Sequence, residues 1–340
     1  MRWLHGEEAV KAAAVDIGTN SVRLLIAEVA EGGGAPTLRT LHRRMRITRL
    51  GEGVDESGLL RREALQRTGR VLEEYRELLR EEGVTALLVA ATSAVRDAAN
   101  ASAFQAMVKG VMGAGARVLT GREEAFLSYV GATYDLGELE PVGRALLVVD
   151  IGGGSTEIIL GRGGEVIRDW SLDVGCVRMS ERFLKTDPPT PREREEMEAF
   201  LRGRMAPLAR EIGPYEPSLA VGLAGTVTTL SGLRQGLSEY DGDAIHHTRL
   251  TRGDVEELYA TLSALPCAAR RDLMRLEPGR ADVIVGGCGV LAVFMRELAL
   301  DSLLVSEKDI LDGLALEAAG CSHAARGGRA RPEAPGSHGT

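Results

Sequence analysis

The chain has 340 residues, a formal net charge of −8, 44% hydrophobic and 26% charged residues. That length calls for two cores rather than one, and the acidic balance argues against a general nucleic-acid binder. No apolar stretch approaches the ~20 residues of a membrane helix, and the charged opening MRWLHGEEAVKAA lacks the apolar centre of a signal peptide, so the chain reads as cytoplasmic.

In chain order, residues 12–18 and 21–29 are predicted strands joined by a tight turn, and the Gly-rich EGGGAP leads to a third strand near Thr37. SGLLRREALQRTGRVLEEYRELLREEG is predicted as one long amphipathic helix, with Ser57 as its cap, Leu72, Tyr75 and Leu79 on one face and Gly83 as its stop. TALLVAATSAVRD gives a buried strand and a polar loop. A helix near 100–112, a short strand ARVLTG and a helix from Glu123 to Tyr134 follow. The second half repeats this order. RALLVVDIGG, STEIILGR and EVIRDWSLDV form a second meander, and PREREEMEAFLRGRMAPLAREIG is a helix with Pro191 in its first turn. SLAVGLAGTVTTLSGL is strand, Gly-rich turn and helix; helices are expected near 253–265 and 286–299, and SLLVSEKDILDGLALEAA closes with a strand and a helix. The reading is a tandem α/β duplication, with domains at 1–136 and 137–318 and a Gly-, Arg-, Pro- and Ser-rich tail at 319–340 expected to be disordered.

One phrase occurs once in each half: AVDIGTNSVRLLI at 14–26 and VVDIGGGSTEIIL at 148–160. A glycine-rich turn between strands directs backbone N–H groups into one concavity that suits phosphate. Thr19, Ser21, Ser155 and Thr156 add hydroxyl donors. The strand-tip carboxylates Asp16 and Asp150 do not favour bare phosphate; they call for a hard divalent cation such as Mg²⁺, or a positioned water, between them and the anion. Arg39, Arg43, Arg44, Arg46 and Arg49, in a stretch without acids, offer local positive charge or else protect an edge strand, and Arg23 and Arg178 are further cations for a phosphate chain. Cys176, Cys267, Cys288 and Cys321 form no C-x-x-C pair and the six histidines show no ligand spacing, so zinc is not expected; His246 and His247 read as a solvated loop or strand start. DVIVGGCGVLAVF leaves too little chain after it for a dinucleotide fold, and no P-loop motif occurs.

The paired DIGTNS and DIGGGST resemble the two phosphate loops of the actin-like ATPase superfamily, and GLAGTVTTL falls where that superfamily has a third Gly-rich loop. Within it the chain closely resembles the exopolyphosphatase/guanosine pentaphosphate phosphatase (Ppx/GppA) family, through AAVDIGTNSVRLLIAEV, RITRLGEGVDESGLL, ATSAVRDAANASAF, LTGREEAFLSYVGA, VVDIGGGSTEIILG and SLDVGCVRMSERFL. The resemblance implies two duplicated ribonuclease H-like domains with a cleft between them. It implies Mg²⁺-dependent removal of terminal phosphate from inorganic polyphosphate, with Glu124 of GREEA as general base. It places Gly18, Thr19, Asn20, Ser21, Arg23, Arg96, Gly152, Gly153, Gly154, Ser155, Thr156, Gly225 and Thr226 on phosphate, and Asp16, Asp150 and Glu157 on metal or water. On the residues alone, Glu123 and Glu124 are better explained as favourable charge in a helix's first turn, and the resemblance is what singles out Glu124. Guanosine pentaphosphate is the alternative substrate; a sugar-kinase-like enzyme and a non-enzymatic alarmone or polyphosphate sensor are the other readings. Neither nucleic acid nor membrane is expected as a partner, and a homodimer is left open. The chain departs from the family pattern at Asp309, Ile310 and Leu311, where glycine, leucine and arginine are common, and at Cys176. It has no room for the C-terminal HD-type domain of longer members.

Overall fold

The computed structural model describes residues 9–19, 21–30, 36–96, 98–139 and 143–321. Its first half runs β1 (Val10–Ile17), β2 (Ser21–Ala30), β3 (Thr37–Ile47), α1 (Val54–Ser57), α2 (Arg62–Glu81), β4 (Ala86–Ala91), α3 (Ser93–Arg96), α4 (Ala101–Met112), β5 (Arg117–Val118) and α5 (Gly121–Thr133). The second runs β6 (Leu146–Ile151), β7 (Thr156–Arg162), β8 (Glu165–Leu172), α6 (Cys176–Phe183), α7 (Pro191–Ile212), β9 (Leu219–Leu223), α8 (Ala224–Gln235), α9 (Gly242–Ile245), β10 (Arg249–Thr251), α10 (Arg252–Ala264), α11 (Cys267–Leu273), α12 (Ile284–Glu297), β11 (Ser302–Val305) and α13 (Ile310–Ala318).

The sheets have orders β3-β2-β1-β4-β5 and β10-β11-β9-β6-β7-β8. In each, a meander supplies three antiparallel strands and a later strand pairs in parallel with the first strand of the meander, β4 on β1 and β9 on β6. The duplication inferred from the repeated order of elements is therefore present in the topology. β1 and β6 are covered on both faces, which is why they read as unbroken apolar runs rather than as alternating strands. Asp16 and Asp150 lie at equivalent places, near the C-terminal ends of these two interior strands.

Ser57 does not cap the long helix. It ends α1, Gly58 turns the chain in a left-handed conformation, and α2 begins at Arg62 with Arg61 as its N-cap residue. The break lets Leu60 enter the core, where Asn100 bonds both its N–H and its C=O at 2.9 Å. The expected face is right: Leu72, Tyr75 and Leu79 are buried. Pro191 opens α7 behind a capping box formed by Thr190 and Glu193.

On one face of the first sheet pack α2 and α4, and on one face of the second pack α7, α8, α10 and α12. The remaining face of each sheet meets α5. Leu127 and Val130 of α5 join the first sheet together with Ile310, Leu311 and Leu314 of α13, while Ala125, Tyr129 and Ala132 join Leu146, Val148 and Ile159 of the second sheet. α13 thus follows β11 of the second sheet but packs on β1, β2 and β4 of the first. The tail beyond Cys321 lies outside the described residues, and among the described residues no helix is long and apolar enough to cross a membrane.

Candidate active site

Both loops close with the same backbone bond: Gly18 N donates to Ser21 O at 3.0 Å, and Gly152 N to Ser155 O at 3.0 Å. Each is braced from behind. Gly51 N donates to Thr19 O at 2.8 Å, while the first N–H groups of α6 fill the carbonyls of the second loop, Cys176 N on Gly152 O at 2.9 Å and Val177 N on Gly153 O at 3.0 Å. Arg178 Nε adds a bond to Gly154 O at 2.7 Å. With the carbonyls occupied, the loop offers an anion its N–H groups. Thr19, Gly153 and Gly154 are exposed, and Gly18, Ser21 and Ser155 half-buried; Asn20 lies outside the described residues. Thr156 is placed differently from the expectation, because its buried hydroxyl donates to Val174 O at 2.5 Å and braces the sheet. In the third loop Ala224 adopts a left-handed conformation (φ 65°) to start α8. Arg280, a cation that sequence reading did not single out, covers Gly225 so closely that a Cβ there would fall 1.9 Å from its Cζ. Thr226, expected on phosphate, is buried.

The two glutamates of GREEA separate cleanly. Glu123 belongs to the fold: it closes a capping box with Thr120 and bonds Arg117 Nη2 at 2.5 Å, and Arg117 first, then the Thr120 N–H, holds its carboxyl down at about 2. Glu124, one residue on, is 32% exposed with Arg96 Nη1 3.7 Å away. Burial first, then the negative charges of Asp16 and Glu157, push its carboxyl up to about 7, against Arg96 and Arg23. Asp150 is likewise raised to about 7, by burial and then by Glu157, which faces it directly in the β6–β7 register. Acids from both loops therefore share one field with Glu124. Glu157 Oε1 accepts from Ser171 Oγ at 3.0 Å, and Arg96 Nη1 donates to Leu119 O at 2.7 Å.

Asp16 is buried; its Oδ2 accepts from Arg23, and its Oδ1 has no hydrogen-bond partner. An oxygen-only donor set with one orphaned buried carboxylate oxygen, and two carboxyls raised first by burial and then by neighbouring acids, fits a hard divalent cation. Arg23, expected on phosphate, is instead paired to Asp16 and Asp309 at 2.6 Å each. Arg43, Arg39 and Arg46 also have carboxylate partners, in Asp312, Glu28 and Glu74. Among the described residues, the His/Cys/Asp/Glu group with ligand atoms all within 4.8 Å of one another is Asp135, His246 and His247, away from the loop acids. The two histidines are not a solvated loop: their rings stack at 3.8 Å and both face Asp135.

The Ppx/GppA phosphatase family model matches residues 25–320. The chain is 46% identical over 319 residues to exopolyphosphatase 2 of Mycobacterium tuberculosis, covering 91% of this chain and 99% of that one. Among solved structures it is similar to the Aquifex aeolicus member of the Ppx/GppA family (TM-score 0.81, 34% identity, 91% and 97% of the two chains). It is also similar to an exopolyphosphatase from Cytophaga hutchinsonii (TM-score 0.76, 25% identity, 92% and 98%).

Proposed function

The chain belongs to the Ppx/GppA phosphatase family, and from that premise we propose that it is an exopolyphosphatase, hydrolysing the terminal phosphoanhydride bond of inorganic polyphosphate. The observation that carries the reading is Glu124. It is the acid that the fold does not use for capping, and it lies in the field of acids from both loops with its carboxyl pushed up to about 7. A carboxyl in that range is ionised enough to accept a proton at neutral pH and basic enough to hold it.

In this reading the N–H groups of Gly153 and Gly154 and the hydroxyls of Thr19, Ser21 and Ser155 hold the terminal phosphoryl group, and α8 presents its N-terminus to the chain's oxygens. Arg96, fixed by Leu119 O, places positive charge beside Glu124 and the phosphoryl oxygens. Asp150, Glu157 and Oδ1 of Asp16 would hold Mg²⁺, which when bound neutralises phosphoryl oxygens against these carboxylates. Glu124 orients the attacking water and takes its proton as the P–O bond to the leaving polyphosphate breaks. Cys176, Cys267 and Cys288, none of them in a disulfide, accord with a cytoplasmic enzyme.

The test is Mg²⁺-dependent phosphate release from long and short polyphosphate, guanosine pentaphosphate and ATP, with Glu124→Gln beside the intact protein. Release from polyphosphate that drops in the variant by about 10²–10⁴-fold, the usual share of a general base, supports the reading. Release mainly from guanosine pentaphosphate keeps the mechanism and changes the substrate. Binding without release from any of them sinks the enzyme in favour of a sensor.

A further inference from the structure

The two copies of the loop differ in what stands behind their aspartates. Asp150 faces Glu157 across β6 and β7, whereas Asp16 faces Arg23 across β1 and β2. Arg23 holds Asp16 Oδ2 twice, from Nε at 3.0 Å and from Nη2 at 2.6 Å, and its remaining nitrogen, Nη1, donates to Asp309 Oδ2 at 2.6 Å. Asp309 is itself fixed. Its Oδ1 accepts from Leu311 N at 2.9 Å, as the N-cap of α13, and from Arg43 Nη2 at 3.0 Å. Arg43 also spans the wholly buried Asp312, at 2.8 and 3.0 Å, and Asp312 Oδ2 accepts from Asp309 N at 2.9 Å. The alternating series Asp16–Arg23–Asp309–Arg43–Asp312 thus runs from the first loop to the last helix. A guanidinium gripped at both ends cannot turn, and it leaves Oδ1 as the Asp16 oxygen available to a ligand.

We propose that Asp309 is a positioning residue for the hydrolysis: through Arg23 it fixes the carboxylate of Asp16, so that the closing helix α13 sets the geometry of the first loop. The proposal rests on the hydrolase reading above. The competing account is that Asp309 only caps α13.

Asp309→Asn separates the two, because asparagine caps a helix as well as aspartate but turns an N–H donor, or at best a neutral acceptor, toward Arg23. If Asp309 positions Asp16, kcat on polyphosphate falls about tenfold with KM within about twofold. The melting temperature falls as well, because Arg23 and Arg43 each lose a carboxylate partner. The split between kcat and KM in the folded variant is therefore the reading that a mere cap would not move. Added to Arg23→Met, the same substitution lowers kcat no further, since its effect passes through the residue already lost. An unchanged kcat in the single variant, or losses that multiply in the double one, overturns the proposal. A crystal structure of Asp309→Asn decides it without any assay: Arg23 and Asp16 are expected to leave their present positions, and their staying in place overturns the idea. If the intact protein releases no phosphate, the hydrolase reading fails by itself, and the crystal structure still judges the contact.

Discussion

At the scale of single residues, the acids that matter are the ones the fold strains. Burial and then Glu157 raise the Asp150 carboxyl to about 7, far above the ~4 of an aspartate in an unfolded chain. The sign follows from proton linkage: a carboxyl that binds its proton more tightly in the folded state stabilises the fold while protonated, and that contribution is lost as pH climbs from about 4 through 7. Without divalent cation, Asp150→Asn should therefore melt at a higher temperature than the intact protein at pH 8, the gap should close near pH 5, and Mg²⁺ should stabilise only the intact protein. Thermal melts at the two pH values, with and without Mg²⁺, test this; an Asn variant that is less stable at pH 8 refutes the assignment of strain to Asp150. The positions of Asp150 and Glu124 were legible because a strand tip followed by glycines, and a charged first turn, are local patterns. Which of two adjacent glutamates is free was legible only through the family resemblance, because Glu123 is consumed by Arg117 and Thr120 in a contact that needs the folded chain.

At the scale of elements, α5 carries Glu124 and is buried nearly all round from Ala125 to Thr133, so its sequence shows no amphipathic stripe. It fits because it crosses α13 with glycine on both sides. A Cβ on Gly131 would lie 1.8 Å from Asp309 O, and one on Gly313 would lie 2.1 Å from Leu127 O. Gly131→Ala must push the helices apart, costing about 1–3 kcal/mol or more and displacing Glu124, so it should lose both stability and phosphate release. Gly110→Ala, in α4 with open space around its Cβ, should instead stabilise by roughly 0.5–1 kcal/mol with the activity unchanged. Denaturant midpoints and initial rates for the pair check this, and equal behaviour of the two variants would mean that the crossing is not tight. The meanders and α2 were legible because their turns and their apolar periods are written locally. α6 was not: Gly175 at its N-cap makes no side-chain bond, and its first N–H groups are satisfied by the carbonyls of the second loop, a partner no sequence window contains.

At the scale of the whole molecule, the duplicated halves are joined by two crossings of the chain, α5 into β6 and β11 into α13, and both crossings meet at one imidazole. His246 Nε2 lies 2.9 Å from Asp135 Oδ2 in the first crossing, and His246 Nδ1 accepts from Glu307 N at 3.2 Å in the second. Asp135 and His246 are 111 positions apart, and Arg23 and Asp309 are 286 apart. A single sequence shows the repeat but not the contacts that bind its copies, since each is made by side chains without local pattern. The spacing of Asp135, His246 and His247 suits a metal, but the proton arrangement decides otherwise: a lone pair on Nδ1 taken by Glu307 N–H leaves the proton on Nε2, which then donates to Asp135 and has no lone pair for a cation. The trio is a clasp between the crossings. Burial alone would raise the Asp135 carboxyl, but the bond from His246 and the His247 imidazole 3.5 Å away hold it well below the ordinary range. Asp135→Asn, which weakens the acceptor for His246 or turns an N–H donor toward one of the two imidazoles, should cost about 1–3 kcal/mol. That corresponds to a melting temperature lower by several degrees for a chain of this size. Zinc added in excess should leave the melting temperature of the intact protein where it is. A zinc-dependent rise, growing with concentration as mass action requires and absent from Asp135→Asn, would turn the clasp into a metal centre and place the lone pair of His246 on Nε2.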